Sequence, residues 1–342
     1  MKPVWDDVNA RARGLGTHLL TAAQLESLAR EADITCLATA LRHHGLIPGV
    51  VVDTPRPEDL ELALRRWAAG LLRTLARWTG ARAAALPLVF DDEDRRSVRA
   101  ILRGAAQRAP VDRRLAGLIP TPSLPERALE ELAAAPGIAG AEALLAAWHH
   151  PYAEALAPVA SAAQPDLFAI EMVLSRAYGQ RASAAARRGN SRAVRSFVRE
   201  TIDLDNGITA IVLASVGRDV VASDVFLGGG SRISLETFEQ AITTRVPVAA
   251  GARIAAALGR SPYAPAFVRY AGDPAALDDD LLRRRLRDLT RRVRQAPLDA
   301  LSAIWFGLRL RAQLVDLQHI IWTVALDAPR QWLIGTLATA AA

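Results

Sequence analysis

Three groups of acidic residues could do chemistry. They are Asp91, Asp92, Glu93 and Asp94 in FDDEDRR, Asp203 and Asp205 with Asn206 in RETIDLDNGITAIVL, and Asp278, Asp279 and Asp280 in LDDDLL. Paired carboxylates on two facing helices hold magnesium and a substrate diphosphate in polyprenyl-diphosphate and terpene synthases, where the motif is DDxxD. Neither the first nor the last cluster completes it. The position four beyond Asp91 is Arg95, and the third cluster runs into Leu281 and Leu282, so the spacing that stacks carboxylates on one helical face is missing. Acids at a helix start oppose the positive end of its dipole and accept free N–H groups, so both clusters read as caps.

Other reactive types compose no site either. The run FLGGGSRIS lacks the Lys-Ser/Thr of a phosphate loop and follows no strand, so it reads as a turn feeding a helix capped by Ser234. The pairs His43–His44 and His149–His150 are helix neighbours about 100° apart, which cannot readily share one ion, and read as surface or helix-end residues. No serine sits in a nucleophile elbow and there is no HExxH. Cys36 is the single cysteine, which excludes an intrachain disulfide and a Cys-rich zinc site and suits a reducing cytoplasm.

The elements that would position these residues are helical. The chain has 342 residues, 51% hydrophobic and only 5% aromatic, rich in alanine, leucine and arginine, which favours helix. The segment 57–80 carries Leu60, Leu64, Trp67, Leu71, Leu75 and Trp78 on one stripe. Thr21 with Gln24, and Ser123 with Glu126, are capping-box pairs. Strand character is confined to GVVVD near residue 50. The N-terminus has no apolar signal region and no segment is apolar for long enough to span a bilayer, so a soluble protein is expected.

A net charge of +6 permits nucleic acid, anionic lipid or an acidic protein as partner. The densest basic segment, 281–296, places Leu282, Leu286, Leu289 and Val293 on one face and reads elsewhere as a solvated arginine surface. Without interleaved aromatics or a helix-turn-helix spacing, charge alone speaks for nucleic acid, and no nucleic-acid partner is expected.

An internal repeat organises the chain. DRRSVRAILRGA from Asp94, DLDNGITAIVLA from Asp203 and DLQHIIWTVALD from Asp316 share an aspartate, a small or polar residue three positions on (Ser97, Asn206, His319) and an apolar run, at spacings of 109 and 113 residues. Asp94, Asp203, Asn206 and Asp316 are accordingly expected at helix starts, and Asp205 exposed.

In order and spacing these segments resemble the C/d (AC39) family of central-stalk subunits of V-type and A-type rotary ATPases. WDDVNARARGLGTHLLTAAQLESL is similar to its opening helices, DRRSVRAILRG and IDLDNGITAIVLA to its first- and second-domain elements, FLGGG to its Phe-Leu-x-Gly-Gly loop, and APLDALSAIWFGLRLRAQLVDLQHIIWTVAL to its last helix pair. Departures are Ser97 where Asn is usual, Gly207 where Leu or Ile is usual, and Arg309 and Arg311 where acids are common. The resemblance implies an all-α fold of three similar helical domains, near 1–115, 116–225 and 226–342, in a pseudo-threefold funnel. It also implies a non-catalytic central-stalk adaptor without cofactor or metal, peripheral at the cytoplasmic membrane face, between rotor shaft subunits of the D/F type and the proteolipid ring. Arg11 and Arg13, in NARAR, are candidates for the partner interface.

Overall fold

Prolines, glycines and capping side chains divide the chain into helices. The computed structural model describes residues 5–49, 54–79, 87–162, 166–188, 191–334 and 337, and these are all-α, with no strand among them. Residues 50–53, which hold most of the expected strand, lie outside the described residues.

The N-terminal segment forms α1 (Asp6–Gly16), α2 (Ala22–Ala29) and α3 (Ile34–His43). Two long helices follow, α4 (Pro57–Thr79) and α5 (Pro87–Ala106), then the short α6 (Val111–Leu115), α7 (Glu126–Ala134), α8 (Gly137–Ala147) and α9 (Tyr152–Ala160). The succession recurs as long α10 (Leu167–Arg188) and α11 (Arg192–Val216), then short α12 (Ala222–Val225), α13 (Leu235–Thr243), α14 (Pro247–Leu258) and α15 (Ala264–Arg269). A third long pair, α16 (Pro274–Gln295) and α17 (Leu301–Ala325), ends with α18 (Gln331–Ile334). Its short companions come from the far end of the sequence, because α2 and α3 pack on α17 as α7 and α8 pack on α5 and α13 and α14 on α11.

Caps decide where several of these helices begin. Thr21 and Gln24 form the expected capping box, and Ser234 accepts from Thr237 N–H as expected. Ser123 does not cap α7. Pro125 holds that position and leaves the Ser123 hydroxyl for another partner. Nor do the acidic clusters start their helices: α5 begins at Pro87, ahead of Asp91, and α16 is capped by Asp273, which accepts from Ala275 and Ala276 N–H.

The apolar run after each repeated aspartate fills a core of one pattern. Val98, Ile101 and Leu102 of α5 meet Leu129, Leu132 and Leu145 of α7 and α8 and Ile170 and Leu174 of α10. In the second unit Ala210, Ile211 and Ala214 meet Phe238, Ile254, Leu277 and Leu281, and in the third Ile320, Ile321 and Val324 meet Leu25, Leu28, Leu41, Leu60 and Leu64. Each core is thus completed by the first turns of the next long helix, and α4 serves the third. Gly207 has a packing reason: a Cβ there would stand 2.7 Å from the Phe267 ring and 2.9 Å from Ile254, so the buried Phe267 takes the volume that a larger side chain on α11 would need.

Candidate functional site: buried carboxylates and the charged seams between long helices

The repeated aspartates lie inside their helices, not at the starts. Asp94, Asp203 with Asn206, and Asp316 are buried in the interiors of α5, α11 and α17. The difference has a physical source, since a carboxylate can cap a segment distant in sequence as well as its own helix. Asp203 accepts the backbone N–H groups of Ser231, Arg232 and Ile233 at 3.0–3.2 Å, and the Ser231 hydroxyl at 3.2 Å. One turn on, the Asn206 amide accepts from Leu227 N–H at 2.8 Å and donates to Leu227 C=O at 2.9 Å. These two side chains therefore hold both ends of the glycine loop. A Cβ at Gly230 would collide with the Asp203 carboxylate, which explains a glycine there.

Asp94 does the same work with hydroxyls. It accepts from Thr121 and Ser123, and His150 Nε2 stands 3.4 Å away. The His150 Nδ1 accepts from Tyr152 N–H at 3.3 Å. His150 lies between the end of α8 and the start of α9, one of the two expected places, but it is buried, because this carboxylate gives its ring a polar neighbour. In the third unit Gln313, one turn before Asp316, accepts Leu20 N–H at 2.6 Å and so fixes the loop ahead of α2. The repeat is incomplete at its third polar position: Ser97 and Asn206 are buried, whereas His319 is exposed.

Between the units run charged seams. Arg95 of α5 donates to Asp205 of α11 at 2.9 Å and to Asp92 at 2.7 Å, with its guanidinium over the Tyr178 ring. Arg292 of α16 places one nitrogen, Nη2, 2.9 Å from both oxygens of Glu200 of α11, and Arg285 donates to Thr201 at 2.7 Å. Arg311 of α17 places Nη1 between the two oxygens of Glu93 of α5, at 2.6 and 2.7 Å. Each unit is thereby tied to both others. Burial alone would raise the Asp92 carboxyl, but Arg96 and Arg95, with Arg311 and Arg285 behind them, hold it well below the usual carboxylate range.

Two further expectations are corrected. Asp205 is half-buried in its pair with Arg95, and the arginines of 281–296 face α11 and α16's own acids as well as solvent. Periodicity shows which face is apolar but not which polar face meets another helix. The partners of Arg95, Asp205 and Arg311 were missed on that account, and Thr121 because it lies in a loop with no period to read. A usable signal existed: Leu124 and Ile233, the last residues before the caps of α7 and α13, both follow their aspartate by 30 positions.

The acidic clusters do not converge. Asp91 pairs with Arg181 at 2.7 Å, Asp92 with Arg95 and Arg96, and Asp280 with Arg284 at 2.5 Å. No group of three or more His, Cys, Asp or Glu among the described residues is placed to hold a metal ion. Of the two interface candidates, Arg13 donates to the Val293 and Pro297 carbonyls at 3.4 and 3.3 Å, whereas exposed Arg11 stacks over Trp78 at 4.8 Å.

The family model described as ATP synthase (C/AC39) subunit matches residues 8–330. The chain belongs to that family. No curated protein matches the chain. As a C/AC39 member it is a structural subunit of V/A-type ATPases, the rotary ion-transporting complexes. No helix among the described residues is long and apolar enough to cross a membrane, in keeping with the family's peripheral place.

Proposed function

We propose that this C/AC39 protein is the non-catalytic central-stalk adaptor of its ATPase. It seats rotor shaft subunits of the D/F type on the proteolipid ring at the cytoplasmic face and passes torque between ATP turnover and proton or sodium transport. The observation that carries this reading is the family match over residues 8–330, and the seams supply its mechanical logic. A torque-bearing part must resist sliding of its units, and partly buried, charge-assisted arginine–carboxylate hydrogen bonds oppose it because displacement would leave both charges unpaired. Such pairs join α5 to α17 and α11 to α16, while Arg95 ties α5 to α11.

On this reading the three units close as a pseudo-threefold funnel, taken by the succession of long and short helices as α4 to α9, α10 to α15, and α16 to α18 with α2 and α3. Arg11 is the better of the two arginines for a partner, since Arg13 is already committed to main-chain carbonyls. Affinity isolation of the tagged protein from its native membranes tests the assignment. Shaft and ring subunits should co-purify, and Arg11→Glu should reduce them with the circular dichroism spectrum unchanged. Their absence from the wild-type isolate would overturn the adaptor role, whereas undiminished recovery with Arg11→Glu would remove only that residue from the interface.

A further inference from the structure

One face of α5 carries Arg95, Arg96, Arg99 and Arg103, which line a cleft of about 340 Å³ against α10, α11 and the start of α16. Three of the four have carboxylate partners. Arg95 holds Asp92 and Asp205, Arg96 holds Asp92, and Arg103 holds Glu171. Arg99, half-buried between them, makes no hydrogen bond or ion pair among the described residues. Burial, then the neighbouring Arg95 and Arg96, lower its tendency to hold a proton; Glu171 acts the other way, and Arg103 adds to the repulsion. A desolvated guanidinium facing three others is costly unless a negative charge reaches it.

We infer that this cleft binds a phosphate-class oxyanion, with Arg99 as its principal donor and Arg96 and Arg103 flanking it. The guanidinium fork matches two oxygens of such a group at once, and a dianion answers a cluster of positive charges better than a single carboxylate does. Carboxylates also line the cleft. Glu171 and Asp205 are engaged by Arg103 and Arg95, and Asp278 lies at the Arg96 side, so the free field for an anion is at Arg99. The phosphate group could be free or carried as a diphosphate. The inference does not depend on the adaptor role.

The test is titration of the purified full chain with inorganic phosphate, pyrophosphate and acetate, at ionic strength fixed with chloride, read by calorimetry and thermal melting. Phosphate or pyrophosphate should bind saturably and raise the melting temperature, and the tighter of the two identifies the free or the diphosphate form. Arg99→Gln should weaken binding at least tenfold and, without added anion, melt no lower than wild type. Arg127→Gln, at an exposed surface pair with Glu131, is the control and should bind as wild type. The inference would be overturned by absence of saturable binding at millimolar anion, by unchanged binding in Arg99→Gln, by acetate binding equally well, or by a lower melting temperature of Arg99→Gln in anion-free buffer.

Discussion

Arg95 and Asp205, 110 residues apart in sequence, meet at 2.9 Å between two helices that each carry a copy of the same repeat. The positions are not equivalent within that repeat, because Asp205 aligns with Arg96 when Asp203 is laid on Asp94. Two helices that share the repeated pattern thus carry opposite charges where they touch, which makes the first and second units complementary neighbours.

The seam between the first and third units predicts a charge-swap result. Arg311→Glu leaves Glu93, itself buried, facing a second carboxylate and should destabilise the chain by about 3 kcal/mol, in the range for breaking one partner of a buried pair. Combining it with Glu93→Arg should recover part of the loss in a double-mutant cycle by urea denaturation. Strict additivity would mean that the pair contributes nothing to holding these helices together.

Asp203 should matter more than Asp94. Asp203→Ala strands the N–H groups of three consecutive loop residues, at a cost of about 1–3 kcal/mol each where they stay buried, whereas the hydroxyls left by Asp94→Ala can rotate toward one another. Denaturation midpoints of the two variants check the order, and equal losses would contradict it.

Gly207→Leu should cost about 1–3 kcal/mol by overpacking against Phe267. Phe267→Ala leaves a cavity by itself, so the double variant should be more stable than the sum of the two losses implies. Thermal melts of all four proteins provide the measurement.

The acid limit should depend on Asp92. Its carboxyl is held below the ordinary range in the folded chain, so the unfolded chain takes up a proton that the folded chain refuses. The associated stability is present above the unfolded value near pH 4 and is lost as pH falls from there toward the folded value. Asp92→Asn should therefore flatten the fall of the urea midpoint below about pH 4 and leave its slope between pH 6 and 8 unchanged.

The sequence by itself determined the helices, because local signals suffice for them. The 57–79 helix, the Thr21–Gln24 box, the Ser234 cap and the apolar run behind each repeated aspartate depend only on near neighbours in the chain, although the buried face of that helix runs through Leu60, Leu64, Ala68, Leu72 and Leu75 and leaves Trp78 of the expected stripe exposed. It also carried the repeat and the family likeness, which are properties of order and spacing. Tertiary structure decided what the polar residues do. Asp94 and Asp203 were visible as special but misread as caps of their own helices, since nothing local distinguishes capping the next residues from capping a loop some 30 positions away. Ser123 was misassigned for the same reason, Asp94 being its distant competitor. That α2 and α3 complete the third unit, and that Arg95, Arg292 and Arg311 each find an acid on another unit, follow from how the ends of the chain and the long helices are brought together in space. Charges reach across several ångströms to whatever packing places there, whereas helical periodicity records only the face that turns away from water.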